Sequence, residues 1–406
     1  MRLLVSLILL ALIALAGARA MQPWWRMPVW LKRLFDSGLI FLAVGVAIGP
    51  AGVRLIDAHV LEQTGPIVVF CLGWIGFLFG VHLEWRRLRR LTRRMWAATF
   101  AESLLTLALV LVAAWIFLTY WCPTCQSIAM HKWAALLTLA ACAAGTAPAS
   151  VFALNGRPLF RGDIAQAVRV SATLDDLPGL LLFGLMFAAV PVGLVPALGL
   201  WSAPVWFLAA ILIGVLLGVL MKSLTILATD AQVHLLVVIG LIAFGSGAAA
   251  YIRLSPIFVG AVAGITLANT TGRKEIVFEL LARSEHTIYV LFLVLVGCRW
   301  SLEAEHLLAL TALYLGIRAL GKVLGGMTAA SLIKVQEPRQ RFGGLAMLGQ
   351  GGLAIAMAVN YARVYEAQIT SSILTVLIVG VIINELVGPV LAGVPFGRPK
   401  ARGTRP

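Results

Sequence analysis

Apolar segments long enough to cross a lipid bilayer recur along almost the whole sequence of 406 residues. A transmembrane helix needs about 20 predominantly apolar residues. Inside lipid such a segment forms a helix, because the helix satisfies its own backbone hydrogen bonds. The sequence therefore predicts an all-α polytopic membrane protein with about 13 transmembrane helices. The predicted segments are one within 1–20 and then 35–54, 64–83, 96–120, 133–153, 164–190, 203–222, 232–250, 255–270, 285–300, 306–333, 341–361 and 370–395.

The charges support this interpretation. Only 12% of the residues are charged, against about 25% in soluble domains. The net charge of +15 could suggest nucleic acid, but the basic residues are concentrated in short loops on one side, for example six arginines between 86 and 94. This is the positive-inside pattern of membrane proteins. We expect contact with the bilayer and not with nucleic acid, in the inner (plasma) membrane, with the C-terminus in the cytoplasm.

The first 20 residues allow two interpretations. Arg2, the apolar stretch that follows it and Ala18-Arg19-Ala20 are typical of a cleaved signal peptide. However, basic residues at Arg26, Lys32 and Arg33 place the next loop on the cytoplasmic side. A retained first helix with its N-terminus outside agrees better with that topology.

The two halves of the chain share weak internal similarity. Segment 40–49 resembles segment 257–265, seven helices later and therefore in the opposite membrane orientation. Glycine- and proline-rich interruptions stand at matching places, at 145–150 and 349–352. Paired interruptions of this kind indicate a binding site near the membrane midplane, although packing glycines and a simple kink would give the same pattern.

This symmetry predicts one transmembrane domain over residues 1–395. The first repeat covers 1–190, a linker helix covers 191–231 and the second repeat covers 232–395. A basic cytoplasmic tail follows at 396–406.

Two adjacent acids, Asp175 and Asp176, stand in the middle of an apolar segment. One mid-membrane aspartate costs about 2.5–3.5 kcal/mol on insertion scales, and such residues usually mark ion or proton pathways. A structural salt bridge is the alternative. We predict Asp176 as the cation ligand and proton carrier, because burial and a neighbouring acid both favour protonation. Hydroxyl groups of Thr146 and Ser150 and carbonyl groups freed by the nearby proline would complete the site.

Lys322 lies inside the eleventh helix and needs a counter-charge there. Asp175 is the expected partner. Arg318, one turn away on the same helix, could pair with Asp175 in place of Lys322. Snorkelling of Lys322 to the surface is disfavoured, since Lys334 already marks that edge about 18 Å further along the helix.

Two further acids fall within predicted helices. Glu102 closely follows a basic loop and is expected at the membrane interface. Glu385 is more central and could pair with Arg318 in a structural role. Arg318, Glu385 and Gln350 are therefore predicted to support the site.

The pair Cys122 and Cys125 stands in a predicted external loop. A local disulfide is expected in that oxidising compartment; free thiols, or a redox or metal role, are the alternatives. The sequence carries no phosphate loop, metal-ligand constellation or nucleophile triad. We therefore predict a transporter rather than an enzyme, with no cofactor beyond the transported ion.

Taken in order, these motifs resemble those of the monovalent cation:proton antiporter superfamily, in the branch that contains the Kef-type and Nap-type exchangers. The resemblance covers nearly the whole chain from residue 36. It rests on segments 45–52 and 77–84, the Asp175-Asp176 pair, Gly321-Lys322 with Leu324-Gly325, segment 255–264, Gly349-Gln350-Gly351-Gly352-Leu353 and segment 384–389.

The resemblance implies a 13-helix inverted repeat with two broken, crossing helices, a transport domain and a dimerisation domain. It also implies a homodimer, cation binding at Asp176, an ion pair between Asp175 and Lys322, and electrogenic exchange by alternating access. Ala147 stands where family members often carry a polar residue, which leaves the cation open. Sodium/proton exchange is the leading hypothesis; a cation-coupled organic-solute symporter, a potassium efflux protein and a membrane sensor are the alternatives.

Overall fold

A computed structural model describes residues 2–20, 35, 37–121, 129–152, 154–155, 160–190, 202–227, 231–271, 274–300, 307–365 and 368–396. Within these residues all regular structure is helical. Parts of the basic tail and of the predicted linker, and both Cys122 and Cys125, lie outside them. The remaining cysteines, Cys71, Cys142 and Cys298, are buried and form no disulfide.

The first half of the described chain contains ten α-helices. They are α1 (Arg2–Ala20), α2 (Leu39–Ile48), α3 (Ala58–Gln63), α4 (Gly65–His82), α5 (Trp85–Leu88), α6 (Arg93–Tyr120), α7 (Ala129–Ala144), α8 (Pro148–Phe152), α9 (Gly162–Leu174) and α10 (Asp176–Ala189).

The second half of the described chain contains seven α-helices and one 3₁₀ helix. They are α11 (Ser202–Leu227), α12 (Ala231–Tyr251), α13 (Pro256–Thr270), α14 (Lys274–Arg299), α15 (Leu307–Leu332), the 3₁₀ helix (Pro338–Met347), α16 (Gly352–Val364) and α17 (Gln368–Leu391).

Eight helical segments among the described residues are long and apolar enough to cross a membrane, or nine if the bent pair of the 3₁₀ helix and α16 counts as one. Three shorter apolar helices are also present, at Ile8–Arg19, α2 and α13. The polytopic all-α class is therefore confirmed. Each predicted segment coincides with a helix or a helix pair, but the count of 13 crossings stays a prediction.

Two helices differ clearly from the hydropathy prediction. Helix α14 begins at Lys274, 11 residues before the predicted start, because its first turns are polar and hydropathy does not detect them. Helix α2 ends at Ile48, since the chain turns there and Arg54 adopts a φ of 57°.

Close backbone contacts join α4 to α13 and α2 to α14. Helix α4 packs on α13: a Cβ atom on Gly76 would lie 2.0 Å from the carbonyl oxygen of Ile257, and one on Gly264 would lie 2.2 Å from that of Phe77. Helix α2 packs on α14 in the same way. Small residues at such crossings let membrane helices approach closely without a side chain between them.

The two contacts are related to each other in the way that an inverted repeat requires. In the predicted repeat, α2 corresponds to α13, and α4 corresponds to α14. Exchanging the repeats therefore converts the α2–α14 contact into the α13–α4 contact. This reciprocity supports the predicted repeat, while the domain boundaries themselves stay predictions.

Candidate functional site

Two helices are interrupted near the centre of the molecule. Helix α7 ends at Ala144, three residues are non-helical, and α8 begins at Pro148. The 3₁₀ helix ends at Met347, and α16 begins at Gly352 after a bend of 43°. The predicted interruptions at 145–150 and 349–352 are thus present, and we name them the first and second break (residues 145–147 and 348–351).

The two breaks contact each other. The backbone N–H of Ala147 donates a hydrogen bond of 2.9 Å to the carbonyl oxygen of Gly349. A proline at the start of α8 has no N–H group to continue the preceding helix. The loss of helical hydrogen bonds leaves carbonyl groups at the end of α7 in need of other donors.

Arg318 on α15 supplies these donors and joins both breaks. Its Nε donates to the carbonyl oxygen of Ala143 at 3.2 Å, and its Nη2 donates to that of Gly145 at 2.7 Å. Its Nη1 donates to the carbonyl oxygen of Leu348 at 2.7 Å. The side chain is fully buried, and its rigid fork of donors suits several acceptors at once.

Gln350 forms another link between the two breaks. Its amide nitrogen donates to the carbonyl oxygen of Cys142 at 2.7 Å and contacts the hydroxyl of Tyr314 at 2.9 Å. Its amide oxygen accepts from Asn384 on α17 at 3.1 Å. Gln350 is fully buried, so its predicted supporting role has a structural basis in these contacts.

Lys322 and Asp175 form the expected ion pair. Lys322 Nζ lies 2.8 Å from Asp175 Oδ2, and both side chains are fully buried. Asp175 also accepts from the backbone N–H of Thr146 at 3.2 Å and from its hydroxyl at 2.5 Å. Lys322 donates further hydrogen bonds to the carbonyl oxygen of Ala144 and to the Thr146 hydroxyl. Lys322 therefore does not snorkel.

Glu102 was expected at the membrane interface, and that prediction is wrong. Its side chain is 0% exposed, and Oε1 lies 3.0 Å from Lys322 Nζ. The burial follows from packing: α6 lies against α15, where a Cβ atom on Gly325 would be 2.9 Å from Glu102 Cα. A polar stripe of Thr99, Ser103 and Thr106 on the same helix, all buried, is the sequence signal that could have indicated an inward-facing position.

Asp176 occupies a different environment from Asp175. It is only half-buried, and its carboxylate lies directly over the first break, where a Cβ atom on Gly145 would be 1.8 Å from Oδ1. Asp176 lines two cavities of about 310 and 570 Å³, which also share His82, Pro148 and Glu285 as lining residues.

The larger cavity extends to the side of the molecule that carries the basic loop. Leu88, Leu91 and Arg169 are among its lining residues, and the first two belong to the segment between 86 and 94 that holds six arginines. By the charge pattern, this is the predicted cytoplasmic side. Asp176 is therefore reached from that side in this structure.

The hydroxyl groups of Thr146 and Ser150, the predicted cation ligands, contact protein groups in this structure. Thr146 lines the smaller cavity beside Asp176, but its hydroxyl binds Asp175 and Lys322. The hydroxyl of Ser150 donates to the carbonyl oxygen of Ala147 at 2.7 Å, and Ser150 lines neither of the two cavities.

Carbonyl groups freed near Pro148 were predicted to bind the cation, and three of them, at the end of α7 and in the first break, accept hydrogen bonds from basic side chains in this structure. Those of Ala143 and Gly145 accept from Arg318, and that of Ala144 accepts from Lys322. Basic side chains at this position also face the C-terminal end of α7, where the helix dipole is negative.

Glu385 and Arg318 do not form the direct ion pair that the sequence suggested. Both residues lie in the described part of the chain, and no ion pair joins them. Arg318 instead binds the three carbonyl oxygens named above. Glu385 is half-buried on α17, one residue after Asn384, which binds Gln350.

Comparisons with known proteins agree with this architecture. Two structures of the sodium proton antiporter MjNhaP1 from Methanocaldococcus jannaschii are similar to the chain. The structure at pH 8 is 19% identical, with a TM-score of 0.59 over 96% of each chain. The other, described as a 3D EM map, is 16% identical, with a TM-score of 0.61 over 98% of this chain and all of that one. At these identities the likeness concerns the fold.

No curated protein sequence matches the chain. The profile of the family described as "Sodium/hydrogen exchanger, transmembrane" matches residues 8–392. This match confirms the resemblance seen in the sequence motifs. Because it covers nearly the whole chain, the protein belongs to the sodium/hydrogen exchanger family.

Proposed function

We propose that this chain exchanges a monovalent cation, sodium in the first instance, for protons, and that both bind at Asp176. Family membership supports the exchange reaction. One observation carries the choice of residue: Asp176 lines both cavities, whereas Asp175 is fully buried and bound to Lys322. A group that ions must reach from water has to be accessible, and Asp176 is the accessible member of the pair.

Competition for one carboxylate is sufficient to couple the two ions. An ionised carboxylate offers only acceptor oxygens, and protonation converts one of them into a donor. A cation and a proton therefore exclude each other at Asp176. If the protein changes its accessible side only when one of them is bound, inward movement of one requires outward movement of the other.

We assign the cation to the Asp176 carboxylate and to water in the cavity, with Thr146 beside it. The carbonyl oxygens of residues 143–145 already accept hydrogen bonds from Arg318 and Lys322, so they contribute less than the sequence suggested. These basic side chains keep the two breaks in place. Gln350, within the second break, binds α7 and Asn384, and Glu385 supports the same break from α17.

The finer features follow the family resemblance and the charge pattern. We propose alternating access, with the cavity on the basic-loop side representing one of the two accessible states, and a homodimer in the plasma membrane with a cytoplasmic C-terminus. Electrogenic exchange, with more protons than cations in each cycle, is proposed on the basis of the two aspartates and the lysine.

The test of this assignment is proton flux in proteoliposomes with the variant Asp176→Asn. The amide has the same shape but does not ionise, so cation-dependent proton movement should be lost. Glu62→Gln is a matched control, because Glu62 is exposed on α3 and lines neither of the cavities at Asp176. Exchange by Asp176→Asn at the wild-type rate would contradict the assignment.

A further inference from the structure

We propose that Glu102 is a second counter-ion of Lys322, and that it keeps the lysine paired and in position when Asp175 turns away during transport. This proposal rests on the proposed exchange function. Asp175 and Lys322 form one ion pair in this structure, and Glu102 forms another with the same ammonium group. Glu102 would therefore be a positioning residue that acts through Lys322.

The buried charge of Glu102 depends on Lys322 for its stabilisation more than the charge of Asp175 does. Apart from Lys322, no group in the described part of the chain donates a hydrogen bond to the Glu102 carboxylate, so the ion pair of 3.0 Å is what stabilises its charge there. Asp175 has the lysine and in addition two hydrogen bonds from Thr146. Leaving a buried charge without its partner is strongly destabilising. A permanent pair between Glu102 and Lys322 avoids that cost.

The surroundings of the ammonium group allow Asp175 to leave. Four acceptors lie around Lys322 Nζ: the carbonyl oxygen of Ala144, the Thr146 hydroxyl, Asp175 and Glu102. An ammonium group has only three protons to donate. When Asp175 departs, three acceptors remain for the three donors, and one of them is charged. Lys322 then stays both hydrogen-bonded and electrically compensated.

Thr146 also has an alternative partner. Its hydroxyl donates to Asp175 at 2.5 Å, but the carbonyl oxygen of Met347 lies at 3.1 Å within hydrogen-bond geometry. Rotation of the hydroxyl proton toward Met347 replaces the bond to Asp175. Two of the donors that bind Asp175, the lysine and this hydroxyl, can therefore release it without leaving a polar group unsatisfied.

The helices also favour Glu102 as the fixed partner. Glu102 and Lys322 lie on α6 and α15, which are in close contact at Gly325. Asp175 lies at the junction of α9 and α10, beside Asp176. The other charged groups near this cluster are Arg318, which binds the breaks, and Asp176, which lines the cavities. Glu102 lines neither cavity, so its effect on the cation is indirect.

A double-mutant cycle in detergent tests the redundancy of the two acids without any transport assay. The variants are Glu102→Gln, Asp175→Asn and the two combined, and the measurement is the melting temperature. Each single variant leaves Lys322 one charged partner, so we expect small shifts. The combined variant leaves none, and its shift should clearly exceed the sum of the single ones. Adding Lys322→Met to the combined variant should restore most of the loss.

Additive shifts in that cycle, or no recovery with Lys322→Met, would overturn the proposal. A transport assay tests the proposal a second time, with the Glu102→Gln variant in proteoliposomes. We expect kcat to fall at least about tenfold, equivalent to about 1.4 kcal/mol in the barrier, with the KM for the cation changed less than about twofold since the contacts of the cation are intact. A wild-type kcat in a folded Glu102→Gln protein would also overturn it. Absence of exchange by the wild-type protein would instead contradict the proposed function. The double-mutant cycle of melting temperatures would then decide by itself whether Glu102 is a counter-ion of Lys322.

Discussion

The substitution Gly145→Ala tests the position of Asp176 without removing any charge. A Cβ atom at residue 145 would lie 1.8 Å from Asp176 Oδ1 and 2.9 Å from its Cγ. The carboxylate would have to move away by roughly 1.2 Å before the distance from Oδ1 to the new Cβ reached 3.0 Å, the shortest contact that real Cβ atoms show. Because the colliding atoms are the end of a flexible side chain, we expect the fold to survive and the site to be displaced.

The magnitude follows from this displacement. Misplacement of a reacting group by about 1 Å can cost about 100-fold in rate, which corresponds to about 2.7 kcal/mol. We expect cation-dependent proton flux in proteoliposomes to fall by about that factor, while the melting temperature stays within about 3 °C of the wild-type value, a shift equivalent to about 1 kcal/mol.

Gly240→Ala is the matched control, since a Cβ atom on Gly240 would contact nothing within 4 Å. This variant should exchange like the wild-type protein. Unchanged flux in Gly145→Ala would refute the placement of Asp176 over the first break. A large loss of stability would show instead that the backbone, and not the carboxylate, has to move.

Two further substitutions test the buried basic residues. Lys322→Met leaves both Glu102 and Asp175 without their cationic partner and should lower the free energy of unfolding by about 3–5 kcal/mol. Thermal unfolding in detergent measures this loss, with Lys222→Met as the control. An unchanged melting temperature would count against both ion pairs. Arg318→Lys should lower both the melting temperature and the proton flux although the charge is retained. The reason is that a lysine carries its donors on one nitrogen and cannot reach carbonyl groups of both breaks. Wild-type behaviour of this variant would show that those hydrogen bonds contribute little to stability or transport.

The sequence predicts the helices well, because each apolar segment is long and must satisfy its backbone internally. It also predicts the two breaks, since glycine and proline act locally on the helix that contains them. The start of α14 is missed for the same reason: hydropathy detects apolar length, and the first turns of that helix are polar.

Contacts between distant helices are much less predictable. The pair of Lys322 with Asp175 could be predicted because a mid-membrane lysine needs an acid and an adjacent candidate was conspicuous. The depth of Glu102 could not be read from its place near a basic loop, because α6 extends over 28 residues and rotation about its axis decides which side chains face inward. Arg318 was assigned an acidic partner, whereas the structure gives it backbone carbonyl groups, which no residue pattern displays.

Proton flux in proteoliposomes with the wild-type protein and with Asp176→Asn shows whether the exchanged cation and proton share Asp176. Sodium, lithium, potassium and choline are added in turn, with and without an imposed membrane potential. We predict that at least one alkali cation, and not choline, drives proton movement in the wild-type protein. We also predict that Asp176→Asn shows no cation-dependent proton movement, while Glu62→Gln remains active. Silence of the wild-type protein with every alkali cation, or full activity of Asp176→Asn, would contradict these predictions.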